Sequence, residues 1–86
     1  MSRTLTIVNE RGLHARASAR FVETVERFDA RARVSRDGHT VDGDSIMGLL
    51  TLAAARGTSI AVEVRGPQAD GLMAALEALV SGGFGE

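Results

Sequence analysis

The chain has 86 residues, 44% of them hydrophobic, enough for one modest core and too apolar for a disordered segment. Ten cations, every one Arg, face eleven acids, and a net charge of −1 argues against bulk steering to nucleic acid or an acidic membrane. There is no cysteine for a disulfide or thiolate metal site, no apolar run near the roughly 20 residues of a membrane span, and no signal-like N-terminus, so a single domain over 1–86 in the cytoplasm is expected.

In chain order, TLTIV (4–8) alternates Leu5 and Ile7 against Thr4, Thr6 and Val8, which predicts a strand with one buried side. After NERG, Ala17, Phe21, Val25 and Phe28 recur at helical spacing with polar residues between, predicting an amphipathic helix over about 16–28. ARARVSR alternates again and meets Asp37-Gly38, a hairpin signal, so HTVDG is the returning strand. SIMGLLTLAAARG has helical content, with Ser45 as N-cap and Gly57 as its stop. SIAVEVR is a strand with Ile60, Val62 and Val64 on one side. GPQADGLMAALEALVSGGF places Pro67 near a helix start and Leu72, Leu76, Leu79 and Val80 on one stripe. The closing SGGFGE reads as a frayed tail without a role. The order β-α-β-β-α-β-α, with strands that alternate, predicts an α+β two-layer sandwich on a mostly antiparallel sheet.

The stretch ERGLHARASARF carries the chemistry. If residue 16 lies in a first helical turn, His14 sits at the helix N-terminus, where backbone N–H groups lack intrahelical partners and the dipole is positive. Arg16 opposes that dipole, and Arg20, one turn on, adds a like-charge pair; each costs a few tenths of a kcal/mol. A dianionic phosphoryl group on His14 would reverse both signs. The plainer reading is a solvated surface histidine beside a weakly penalised arginine. His39, after the hairpin, does not stand at metal-ligand spacing from His14, so no metal is expected.

GLHARAS before an apolar helix, with DSIMGLLTLAAARGT in mid-chain, resembles the HPr family, the histidine-containing phosphocarriers of the bacterial phosphotransferase system. The likeness spans the chain. It implies an open-faced two-layer β-sandwich, four antiparallel strands with three helices on one face. By resemblance His14 is the phosphoryl acceptor, through Nδ1, and Arg16 pairs with the phosphoryl oxygens. Ala17 departs from the proline common in the family. Its backbone N–H is one more donor for phosphate.

Ile46, Met47 and Leu50 face away from Leu49, Leu52 and Ala53 on the second helix, so that helix is apolar on several sides and fits a docking surface. The resemblance assigns docking of enzyme I and of sugar-specific acceptors to Ile46, Met47 and Leu50, with Ala17 and Arg20 alongside. An unbranched Met suits several partners. Ser45 is an N-cap by its position; by resemblance it is also the serine that an HPr kinase/phosphorylase modifies in some lineages. Phosphate there would add charge beside the patch, where Asp42 and Asp44 already stand.

There is no phosphate-binding GxxxxGK[ST] loop, no nucleotide fingerprint and no carboxylate cluster for Mg²⁺. No cofactor is expected, and the chemistry needs partner enzymes. The resemblance implies relay of a phosphoryl group from phospho-enzyme I to EIIA-type acceptors by a monomer. The alternative is a mainly regulatory binding module, such as a nitrogen-related branch. A non-phosphorylated RNA-binding domain is disfavoured by charge and by the lack of aromatics for base stacking.

Overall fold

The computed structural model describes residues 1–86. Its elements are β1 (Ser2–Thr6), α1 (Ala15–Glu26), β2 (Arg31–Arg36), β3 (His39–Asp42), α2 (Ile46–Thr51), β4 (Ser59–Arg65) and α3 (Ala69–Ser81), then a 3-10 turn at Gly83–Gly85. The four strands form one sheet in the order β1-β4-β2-β3, every neighbouring pair antiparallel. The β2–β3 turn carries positive φ at both Asp37 (52°) and Gly38 (79°), as a two-residue hairpin turn of this hand requires.

Strand periodicity sets which face is buried. Ile60, Val62 and Val64 on β4 join Ala32 and Val34 on β2 beneath the helices, while Arg31, Arg33, Ala61 and Arg65 remain exposed on the open face. Register aligns the apolar set, with Val34 opposite both Val41 and Val62. Ala17, Phe21, Val22 and Val25 from α1, Leu49 from α2, and Leu72, Met73, Leu76 and Val80 from α3 complete one continuous core. This is the expected α+β open-faced sandwich.

Several boundaries differ from the sequence expectation. Ile7 lies beyond β1 but stays fully buried, because the chain continues beside the segment that leads into β4: Ile7 N–H donates to Thr58 O and Gly57 N–H to Ile7 O, both at 2.8 Å. The second helix stops at Thr51 rather than running to Gly57. Ala53 takes a left-handed φ of 49°, Arg36 Nη1 donates to Leu52 O at 3.0 Å, and Leu13 N–H donates to Ala54 O at 2.9 Å. Tertiary donors thus claim carbonyls that a longer helix would use, against the helical propensity of LAAA. Ala53 is accordingly exposed and Ala54 takes the inward position.

The closing segment is not frayed. Phe84 is fully buried and holds a left-handed φ of 58°. Backbone strain at a non-glycine residue costs on the order of 1–3 kcal/mol, and burying an aromatic side chain offsets it.

Candidate functional site

The loop between β1 and α1 delivers a histidine to the helix mouth by a sequence of local bonds. Gly12 N–H donates to Asn9 O at 3.1 Å, and Asn9 Nδ2 donates to Gly12 O at 2.7 Å, closing a tight turn. Gly12 has φ +66°, and a Cβ there would lie 2.5 Å from Ala54 O, so only glycine lets the loop approach the segment after α2 this closely. Leu13 then anchors in the core.

His14 follows as the N-cap of α1, with φ −79° and ψ −176°. Its carbonyl accepts the first helical bond, from Ser18 N–H at 2.8 Å, and its ring Nδ1 accepts from Arg16 N–H at 3.3 Å. The imidazole therefore stands where Ser, Thr, Asp or Asn usually cap a helix, its Nδ1 turned to the free amides. No acid occupies the first turn of α1, and the Arg16 guanidinium has no ion-pair partner within the chain. The first turn of α1 itself therefore supplies no anion to the positive helix end, which leaves its free amides and the Arg16 guanidinium open to an anion.

The ring's other edge meets residues that sequence reasoning passed over. Nε2 pairs with the carboxylate of Glu86, and the two side chains keep 21% and 25% of their exposure. Asn9 Nδ2 reaches Glu86 Oε1 at 3.4 Å. Both partners of that amide nitrogen are acceptors, which fixes the amide's orientation; Oδ1 is buried without a partner. Arg20 Nη1 donates to Phe84 O at 2.5 Å, so this exposed arginine ties α1 to the closing turn. The Glu86 carboxyl is held below its usual value, first by the hydrogen bond from His14. Partial burial opposes that shift, and the Asn9 bond and the charges of His14 and Arg11 add to it. The available signal was Phe84, a large apolar residue flanked by glycines: one of only three aromatics is an improbable component of a loose tail.

The other sequence-singled residues divide. Met47 is 74% exposed and Ile46 39%, with Leu50 half-buried, so an apolar surface does lie on α2 while Leu49 points inward. α1 and α2 pack together, on the same side of the sheet as His14. Ala17 is fully buried, so its side chain offers nothing to a docking partner. Ser45 caps α2, its Oγ accepting from Gly48 N–H at 3.0 Å. His39 is remote in role: its Nε2 lies 3.0 Å from Thr51 Oγ1, and since that hydroxyl donates to Gly48 O at 2.6 Å, the histidine is the donor. No three His, Asp or Glu side chains cluster as a metal site.

Comparison with known proteins agrees with this geometry. A family profile described as "PTS HPr component phosphorylation site" matches residues 1–82. The phosphocarrier protein HPr of Cupriavidus necator is 43% identical over 86 residues, covering 100% of this chain and 97% of that one. The phosphocarrier protein NPr of Escherichia coli is 37% identical over 87 residues, again covering 100% and 97%. Among solved structures, HPr-C-His from Thermoanaerobacter tengcongensis superposes with a TM-score of 0.95 at 34% identity, over 100% of this chain and 97% of that one.

Proposed function

The chain belongs to the HPr family of phosphocarriers, and from that premise we propose that it takes a phosphoryl group from phospho-enzyme I onto His14 and hands it to EIIA-type acceptors. The observation that carries this reading is the N-cap position of His14, with Nδ1 against the Arg16 amide and the unpaired guanidinium of that same arginine two residues into the helix. Nδ1 is the acceptor atom. Arg16 and the amides of the first turn hold the phosphoryl oxygens, and no group of the chain activates the donor, so the partner enzymes do that work.

Ile46, Met47 and Leu50 supply transient apolar docking, with Arg20 at its border and Ala17 contributing only its backbone N–H. Ser45 is the regulatory position for an HPr kinase/phosphorylase. A phosphate on Oγ would set a dianion beside Ile46 and Met47, next to the acids Asp42 and Asp44, and oppose docking of an acidic partner. The chain works as a monomer of one domain, without a cofactor and without nucleic acid. It has no helix long and apolar enough to cross a membrane, and the cytoplasm is its proposed compartment.

A second reading has one observation in its favour. The similarity to NPr supports a mainly regulatory branch, in which the phosphoryl state governs binding to regulators rather than sugar uptake. The two are separated by the acceptor. Phosphorylated chain mixed with sugar-specific EIIA should lose its phosphate to the acceptor; label that leaves only to regulatory EIIA proteins supports the branch, and label that leaves to neither refutes the relay.

A further inference from the structure

We propose that Glu86 is a positioning residue that holds the His14 ring with its proton on Nε2 and its Nδ1 unprotonated, readying Nδ1 to accept a phosphoryl group. The inference rests on the phosphocarrier reading and adds to it a residue from the opposite end of the chain.

Two contacts choose the same tautomer. Nδ1 accepts from Arg16 N–H, so it carries no proton in the neutral ring. Nε2 faces the Glu86 carboxylate, and an ionised carboxylate only accepts, so the proton must be on Nε2. The opposite tautomer would set an N–H against an N–H at one edge and a lone pair against a carboxylate at the other. A bare imidazole in water has no such constraint.

The carboxylate is delivered by the fold. Phe84 is fully buried two residues before Glu86, Arg20 holds the Phe84 carbonyl, and Asn9 Nδ2 reaches Glu86 Oε1. Three anchors therefore set this side chain from α1, from the loop before α1 and from the core. The lowered carboxyl value of Glu86 is consistent with its being ionised under working conditions.

The group has a role through the transfer itself. The Nδ1 lone pair, released from Arg16 N–H, attacks phosphorus of a phosphohistidine donor. The donor N–P bond breaks, its electron pair returns to the donor ring, and a new N–P bond forms at Nδ1. The Nε2 proton stays where it is, so the positive charge carried by the protonated donor ring passes to the His14 ring. Glu86 faces that charge across Nε2, on the edge opposite the phosphoryl group, and so does not compete with Arg16 for its oxygens. This is the division of labour of the carboxylate behind the imidazole of a Ser-His-Asp triad, which fixes the tautomer and stabilises the cation.

The test uses the whole chain labelled with ¹⁵N in its histidines. Long-range ¹H–¹⁵N spectra at neutral pH should show a single His14 tautomer protonated at Nε2, and Glu86→Ala should show a mixture. Charging of Glu86→Ala by phospho-enzyme I should be roughly three- to tenfold slower, as befits a partly exposed charge-assisted contact. Glu86→Gln keeps an acceptor oxygen without charge and should charge at an intermediate rate. A Glu86→Ala protein with its tautomer unchanged, or its charging rate unchanged, overturns the inference. If the unsubstituted chain takes no phosphate at all, the phosphocarrier reading falls and this inference with it; normal charging of the parent beside an unaltered variant sinks the inference alone.

Discussion

Ser45 Oγ accepts a hydrogen bond from Gly48 N–H at 3.0 Å, so the hydroxyl proposed as a regulatory target is already the cap of α2. Ser45→Ala should lower stability by about 1 kcal/mol, the usual value of such a cap. The checking measurement is a urea titration with a shifted midpoint and an unchanged slope. Equal midpoints would deny the cap its energetic role.

Arg16 is exposed, without an ion-pair partner, and in a position that α1 itself disfavours. Its removal should cost function and not fold. Arg16→Ala is expected to keep or slightly raise the melting temperature, since it relieves the dipole penalty, while phosphoryl acceptance slows by about tenfold through loss of a charge-assisted contact. Unchanged single-turnover rates would count against its role.

Met47 projects 74% of its surface into solvent and contributes no core packing. Met47→Glu should therefore change stability by no more than about 0.5 kcal/mol. Titration calorimetry against enzyme I should nevertheless show at least roughly tenfold weaker binding, because a charge in the centre of an apolar contact goes unpaired. Full affinity in that variant would move the docking surface elsewhere on the chain.

Glu86 makes the His14 pairing pH-dependent in one direction. Its carboxyl is held below the usual 4.5, chiefly by the His14 hydrogen bond, so its contribution is complete above that value. The contribution is lost only as pH falls through the lower, folded-state value, where the carboxylate takes up a proton. The ¹³C shift of the Glu86 carboxyl should titrate at lower pH in the folded chain than in a short peptide of the same sequence. A midpoint equal to or above the peptide's would mean that the pairing does not persist in solution.

How far the sequence foretold these features depended on the range of the interactions involved. The N-terminus of α1 was legible because both of its signals are local: apolar spacing from Ala17 and the GLHAR stretch before it. The strands were legible by alternation, and Asp37-Gly38 by its turn chemistry. The end of α2 was not, because LAAA favours helix and only Arg36 and Leu13, distant in sequence, draw its carbonyls away. The closing turn was least legible. Glycine-rich segments suggest looseness, while its order comes from Phe84 entering the core and Arg20 and Asn9 reaching across from the other end of the chain. Half of the site thus lay in local pattern, and the other half in contacts more than sixty residues apart.

The central claim is that the imidazole at the mouth of α1 carries the phosphoryl group. Its most direct test is site mapping after incubation with enzyme I and phosphoenolpyruvate, by intact mass and by fragmentation under alkaline conditions. The account predicts a gain of one HPO₃ unit, labile in acid, localised to His14 and absent from His14→Ala. The same gain on another residue, or its persistence in His14→Ala, would contradict it.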